Sequence, residues 1–424
     1  MENDKKDIYN LVKILLISII YGSIIGVIVF LLKMGTHKLE IISKYIYEIT
    51  KDKIILILLV FLLIVVLSYI MVYIHKKIPD SKGVNVYTSK TNKQENNKQN
   101  IKSIIGIFIS SLISFIVGVS VDIEGPSVII GKKTSDIRNN NIKINQTVQK
   151  YINIGGAAAG FSVATGAPFA GILYAIEEIH KKITAKLIII VSLIVLSAST
   201  INLLLCDIFE VHSDLIKFDK IVSFEYIHLL YIILLAFFVT ISVLFFNKIT
   251  NAFIKIKHKI KLSIYIKILI LFLITAIFGY IYQESIYNGH DIIEQMSINN
   301  KSIIKLLVLL FSRLLMIHIV IGSNPTGGIF IPLLAIASIL GALFGKLFIF
   351  MGIDSQYYSV IVLVTIISFV SGLLRCPITI IILLLEITQS YVNIVYILIV
   401  VFIVNFFMEC FNQHSYYDKL LEKI

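Results

Sequence analysis

A carboxylate stands directly before a glycine–proline pair in the segment Asp122–Gly131, which reads DIEGPSVIIG. Glu124 follows an apolar stretch over residues 105–121, so we expect it at membrane depth, at the start of a helix. An ionisable group in a membrane is costly to bury and usually has a function. Helix N-termini attract negative charge. Glu124 could therefore exchange a proton while competing with an anion for the same amides, or it could simply cap its own helix.

The prolines indicate which elements position this carboxylate. Proline fits the first turn of a helix, where its missing N–H would have no partner anyway. Helices that begin inside a membrane leave the amides of their first turn unpaired. Such amides are tolerated only where they are buried in protein or line a cavity. Such broken helices in both halves of the chain indicate a transport site, with the two halves expected over residues 1–205 and 222–424. All six prolines lie at segment edges: Pro79, Pro126, Pro168, Pro325, Pro332 and Pro377.

The composition predicts the surroundings of these helices. Of the 424 residues, 57% are hydrophobic and 15% are charged, whereas soluble domains have about 45–50% and about 25%. The apolar residues form blocks near the length of about 20 residues that crosses a bilayer. The chain is therefore predicted to be an all-α polytopic membrane protein, forming a single transmembrane domain over residues 1–424. Nine clear spans are expected, at residues 11–32, 54–74, 103–120, 187–206, 224–247, 262–283, 303–321, 357–374 and 391–409.

Shorter apolar pieces, interrupted by glycine and proline, lie between these spans. They cover residues 125–131, 155–176, 328–349 and 377–388. Apolar stretches of about 10–14 residues are too short to cross a membrane. We therefore expect broken or re-entrant helices there. No separate soluble domain is expected after the last span.

The net charge of +12 comes mainly from lysines in the connections, which argues against nucleic acid as a partner. Residues 76–102 carry seven lysines, and 248–261 is also lysine-rich, while 207–219 and 284–294 lean acidic. This alternation follows the positive-inside rule. It predicts lysine-rich loops and the N-terminus in the cytoplasm, although the mildly basic connection Lys33–Lys53 should lie outside.

Sequence motifs of enzymes are missing. The chain has no HExxH, no phosphate-binding GKS or GKT loop and no nucleophile elbow. Its three cysteines are scattered among apolar residues, unlike a disulfide framework or zinc site. We therefore predict no catalytic residues, no metal and no cofactor. A membrane-embedded protease or lipid transferase remains a second hypothesis, which would need a catalytic constellation on facing spans.

Four segments, in order along nearly the whole chain, resemble the CLC family of chloride channels and transporters, of the bacterial type without C-terminal CBS domains. The first resembles the GxEGP segment, the second the following helix of bacterial members, the third GGIFxP, and the fourth the segment around the tyrosine at the last helix. In this chain they read Glu124–Val128, Gly166–Pro168 with Gly171–Leu173 and Glu177-Glu178, Gly327–Pro332, and Ser415–Asp418.

The resemblance implies a CLC-like inverted-repeat fold and a role for each matching residue. Glu124 would be the external gating glutamate, and Glu178 the inward-side glutamate of the proton-coupled antiporters. The Tyr417 hydroxyl and the Ile329 and Phe330 amides would contact the anion. Two simpler interpretations stay open. Glu178 could be a solvated acid paired with a neighbouring lysine, Lys181 or Lys182, and Tyr417 could be an interfacial anchor.

One segment departs from the family pattern. Residues 83–87, GVNVY, stand where the family has GSGIP, so Val84 replaces the serine whose hydroxyl contacts the anion. The Asn85 and Val86 amides could still serve there. Asp122 replaces the first glycine of GxEGP, and Ile123 stands where many members have a basic residue.

The resemblance implies proton-coupled chloride antiport in a bacterial inner membrane. The expected partners are chloride, protons, membrane lipid and a second copy of the chain in a homodimer. A passive voltage-gated-type chloride channel is the main alternative. A fluoride/proton antiporter is a further one, because that branch also replaces GSGIP with an asparagine-containing segment, although the retained EGPSV segment argues against it.

Overall fold

The protein is described by a computed structural model that covers residues 2–82, 96–137, 145–211, 216, 218, 221–259, 262–298 and 301–422. Over these ranges the regular structure is helical, with one two-residue antiparallel bridge between Asp122 and Gly328. The helices are α1 (Glu2–Thr50), α2 (Ile54–Lys77), α3 (Asn97–Val117), α4 (Glu124–Ser135), α5 (Gln146–Thr165), α6 (Pro168–Tyr174), α7 (Ala185–Ile208), α8 (Leu229–Lys259), α9 (Ile264–Ile281), α10 (His290–Met296), α11 (Ile303–Ser323), α12 (Phe330–Phe350), α13 (Tyr358–Leu374), α14 (Pro377–Thr388), α15 (Ile394–Cys410) and α16 (Tyr416–Glu422).

Within the described ranges, nine helices are long and apolar enough to cross a membrane. The prediction of a polytopic all-α membrane protein is thus confirmed. The nine spanning helices differ from the nine predicted spans in one exchange. Residues 330–350, expected to be a short piece, form a continuous 21-residue helix, whereas α15 has only 17 residues. Pro332 lies in the first turn of α12, where proline leaves the helix intact, and Gly341 and Gly345 are accommodated inside the helix.

The prediction of a connection over Lys33–Lys53 was wrong, because α1 continues as one helix to Thr50. At 49 residues it is about 74 Å long, far longer than the roughly 30 Å hydrocarbon core. Lys44 in this extension pairs with Asp291 at 2.8 Å and with Glu40 at 3.0 Å. Tyr47 donates to the Val117 carbonyl at 2.9 Å. These contacts stabilise the polar end of the helix against the rest of the protein.

The expected broken helices are present, with different bounds. The piece predicted at 155–176 is two helices, because α5 ends at Thr165 and Gly166 adopts a left-handed conformation with φ of 73°. Pro168 then begins α6. Helices α4 and α14 have 12 residues each, which is too short to span a bilayer. Every residue of α13 is buried, so this helix forms the centre of the core.

Close backbone packing fixes α4 against α5. A Cβ atom added to Gly160 would lie 2.0 Å from the Ser127 carbonyl oxygen, and one on Gly131 would lie 2.0 Å from the Gly156 carbonyl oxygen. Glycines at these positions let the two backbones touch, as small residues do between membrane helices. Helix α4 carries Glu124, so this contact also positions the candidate site.

Substitution of Gly160 by alanine is expected to destabilise the protein by about 1–3 kcal/mol, because the added methyl group must push α4 and α5 apart. Gly322→Ala is the matched control, since its Cβ would meet no atom within 4 Å. Thermal unfolding of the detergent-solubilised protein should show a lower midpoint for Gly160→Ala alone. Equal midpoints for the two variants would contradict the close packing.

Candidate functional site

Four of the predicted site residues line one internal cavity. Glu124, Glu178, Phe330 and Tyr417 come from four different helical segments and meet around a volume of about 30 Å³. This volume suffices for about one or two water molecules. The remaining walls are mostly apolar or aromatic. The site is therefore narrow and poorly hydrated, with two carboxyl groups and a phenol on its surface.

Glu124 begins α4, and its side chain is 5% exposed. The carboxylate that caps this helix belongs to Asp122, whose Oδ1 accepts a hydrogen bond from the Glu124 amide at 3.1 Å. Of the two interpretations of Glu124, the capping role therefore falls to Asp122. The Glu124 side chain lines the cavity.

The adjacent glutamates Glu177 and Glu178 have different surroundings. They lie in a wide π-helical turn over Ala175–His180 that continues α6, and such turns are frequent at functional sites. Glu177 accepts hydrogen bonds from the Ile378 amide at 3.2 Å and the Thr379 amide at 2.7 Å, so it caps the start of α14. Glu178 is 3% exposed and lines the cavity.

Glu386, in α14, makes the contact that corresponds to that of Glu177. Its carboxylate accepts from the Phe169 amide at 3.0 Å and the Ala170 amide at 2.8 Å, at the start of α6. The two short helices each begin at a proline, Pro168 in α6 and Pro377 in α14. The glutamate nine positions after each proline caps the start of the other helix. The pair α6–α14 is therefore antiparallel and reciprocal. Glu386 was not singled out in the sequence analysis, although its spacing from Pro377 equals that of Glu177 from Pro168.

The suggested pairing of Glu178 with a nearby lysine does not occur. Lys181 instead pairs with Asp418 at 3.4 Å, which ties the π-helical turn to α16. Lys182 is exposed. Glu178 makes no ion pair with any described residue, and its Oε1 atom has no hydrogen-bond partner among them. A buried carboxyl group without an ion pair is costly to charge.

Helix α12 brings its first amides to the same region. It begins at Phe330, whose side chain lines the cavity, and Ile329 is fully buried just before it. The Ile331 amide donates to Asp122 Oδ2 at 2.9 Å. Among the described residues, nothing accepts a hydrogen bond from the Ile329 or Phe330 amide. Unpaired amides at a helix start can bind an anion.

The two tyrosines of α16 have different roles. Tyr416 is 1% exposed and packs against Phe246, with ring centroids 5.7 Å apart. Tyr417 lines the cavity together with both glutamates. Tyr417 therefore faces the cavity, whereas an interfacial anchor would face the headgroups.

Val84, Asn85 and Val86 lie outside the described residues. The chain that leads towards them is held beside the site, because Ser81 accepts a hydrogen bond from Thr326 Oγ1. Asp80 pairs with Lys133 of α4 at 2.7 Å and accepts from Ser103 at 2.7 Å. Burial alone would raise the pKa of Asp80, but these two hydrogen bonds lower it below its ordinary value. Asp80 therefore stays charged and fixes this approach to α4.

Arg313 supports the 284–287 loop from within α11. Its side chain is 2% exposed. It donates to the carbonyls of Ile286 and Tyr287 at 2.8 Å each and to Ser120 Oγ at 3.1 Å. Arg313 therefore joins the 284–287 loop to the chain that leads into Asp122.

The family model described as voltage gated chloride channel matches residues 67–409, which is most of the chain. The chain belongs to the CLC family. Three of the four resembling segments lie inside the matched range, and Tyr417 lies just beyond it.

Several named CLC relatives are exchange transporters. The H(+)/Cl(-) exchange transporter ClcA of Citrobacter koseri is 28% identical over 277 residues, covering 63% of this chain and 58% of that protein. The transporter of the same name from Yersinia pestis is 26% identical over 294 residues, covering 67% and 60%. The matched region thus spans about three fifths of these CLC relatives.

Solved CLC structures share the fold over nearly the whole chain. A slow cyanobacterial Cl-/H+ antiporter superposes with a TM-score of 0.86 at 21% identity, covering 97% of both chains. A CLC-type fluoride/proton antiporter gives 0.76 at 17% identity, covering 96% of this chain and 98% of that one. The predicted CLC fold is therefore confirmed.

Proposed function

We propose that this protein exchanges chloride for protons across a membrane. The observation that carries the proposal is the single cavity that contains Glu124, Glu178, Phe330 and Tyr417. An anion and a proton acceptor would have to use the same narrow space. Use of one shared space is the requirement for the anion and the proton to be exchanged.

In this mechanism the anion sheds water against the Ile329 and Phe330 amides and the Tyr417 hydroxyl, as ions do in narrow protein filters. Val84, Asn85 and Val86 would complete the site. Glu124 takes up a proton from the outer side, which neutralises its carboxylate and removes a competitor of the anion. Glu178 passes protons to the inner side.

The surroundings of Glu178 favour exchange over a passive channel. A channel for chloride needs no second carboxyl group on its path, because a negative charge there repels the anion. Glu178 is nevertheless buried beside the cavity and has no ion pair among the described residues. The names of the similar proteins support the same function, since the ClcA proteins are H(+)/Cl(-) exchange transporters. No catalytic chemistry is required by this account.

The proposal includes a location and an assembly. The protein would lie in a bacterial inner membrane, with its N-terminus and lysine-rich loops in the cytoplasm. The halves 1–205 and 222–424 would be inverted repeats, which the reciprocal capping of α6 and α14 supports. Membrane lipid would surround a homodimer of two such chains. Phe169 and Ile378, exposed in the first turns of α6 and α14, offer an apolar face for it.

Purified protein in liposomes tests the function directly. A chloride gradient should drive protons uphill, and an added proton gradient should drive chloride uphill. Chloride flux without proton movement would instead identify a passive channel. Fluoride that outcompetes chloride by a wide margin would identify a fluoride antiporter, and no anion flux at all would revive the membrane-enzyme hypothesis.

A further inference from the structure

Asp122 joins the starts of two helices through one carboxylate. Its Oδ1 accepts from the Glu124 amide of α4 at 3.1 Å, and its Oδ2 accepts from the Ile331 amide of α12 at 2.9 Å. The side chain is 1% exposed. Both helices are long enough to present partial positive charge at these ends. The carboxylate therefore occupies the position that such converging amides offer to an anion.

The backbone forms a fitted cradle around this carboxylate. Asp122 and Gly328 exchange two backbone hydrogen bonds, at 3.0 and 2.9 Å. A Cβ atom on Gly328 would lie 1.8 Å from Asp122 Oδ1 and 2.9 Å from the Gly125 nitrogen. Only glycine leaves this space open. The cradle thus has room for an anionic group in contact with three amides.

The Glu124 carboxyl group lies beside the Asp122 carboxyl group. Asp122 keeps the amides, and Glu124 extends into the cavity.

We infer that Asp122 is a tethered anion that fills the outer anion position of the pathway and lowers the affinity of the protein for free chloride. The family pattern described above has glycine at this position, which leaves the two helix starts open. This inference rests on the proposed anion pathway. It adds a residue that sets which anions bind, how tightly, and at how many positions.

Calorimetric titration of the detergent-purified protein with potassium chloride tests the inference. Asp122→Gly and the uncharged isostere Asp122→Asn should each bind chloride about tenfold more tightly or better, which corresponds to about 1.4 kcal/mol or more. The matched control is Asp136→Asn, because Asp136 is a buried aspartate at the opposite end of α4. That substitution should leave chloride affinity unchanged. Wild-type affinity in folded Asp122→Asn protein would overturn the inference and leave Asp122 as a helix cap only.

A second measurement avoids any loss of folding in the variants. Crystals of the wild-type protein soaked in bromide should show no anomalous peak beside the Glu124 and Ile331 amides, because Asp122 occupies them. A bromide ion bound there would overturn the inference. Liposome flux separates the two proposals. Wild-type exchange with unchanged binding in the Asp122 variants refutes only the tethered anion, whereas tighter binding in the variants without any wild-type flux refutes only the exchange function.

Discussion

Glu178→Gln protein in liposomes is expected to carry chloride while proton movement falls by about 100-fold or more, the scale on which a positioned acid–base group contributes. Glutamine fills the same space but cannot take up or release a proton. Since Glu178 makes no ion pair with a described residue, its loss should leave the fold intact. A chloride gradient with a pH indicator measures both fluxes at once.

Glu177→Gln is the matched control for this experiment. The two glutamates are adjacent in sequence, but Glu177 caps α14, and a glutamine oxygen can still accept one of those hydrogen bonds. Its protein should keep proton coupling. Full coupling in Glu178→Gln, or equal loss in both variants, would show that Glu178 is not the inner proton relay.

Glu124→Gln is expected to abolish proton movement and to remove the dependence of chloride flux on outside pH. In the wild type, chloride flux should rise as outside pH falls, because protonation neutralises the Glu124 carboxylate and removes the competing charge. Glutamine imitates the protonated form at every pH. Flux in the variant should therefore stay at the acidic level across the titration.

The control is Glu48→Gln, which removes an exposed carboxylate near the end of α1. That variant should titrate like the wild type. If Glu124→Gln protein still responded to outside pH with the wild-type profile, Glu124 would not be the outer gate.

Composition and the placement of prolines predicted much of the fold. Apolar blocks indicated the spans, and the short piece predicted at 377–388 begins at Pro377, as α14 does. The bounds of α1 and α12 could not be predicted in this way. The polar part of α1 stays helical because of distant contacts such as Lys44–Asp291, and α12 continues because its proline lies in the first turn.

The candidate site was predictable where it depends on motifs and unpredictable where it depends on contacts. Glu124, Glu178, Phe330 and Tyr417 were proposed from residues and family resemblance, and they line one cavity. The bond from the Ile331 amide to Asp122 joins residues 209 positions apart. Neither composition nor periodicity reports on such a pair. The departure from glycine at this position was visible in the sequence, but its consequence required the positions of both helices.

Exchange through this site requires an anion to occupy the cavity between the two glutamates. Anomalous diffraction from bromide-soaked crystals of the wild-type protein tests this most directly. We expect one bromide peak in the cavity, within hydrogen-bond reach of the Phe330 amide and the Tyr417 hydroxyl. Crystals that contain bromide elsewhere but none in this cavity would contradict it.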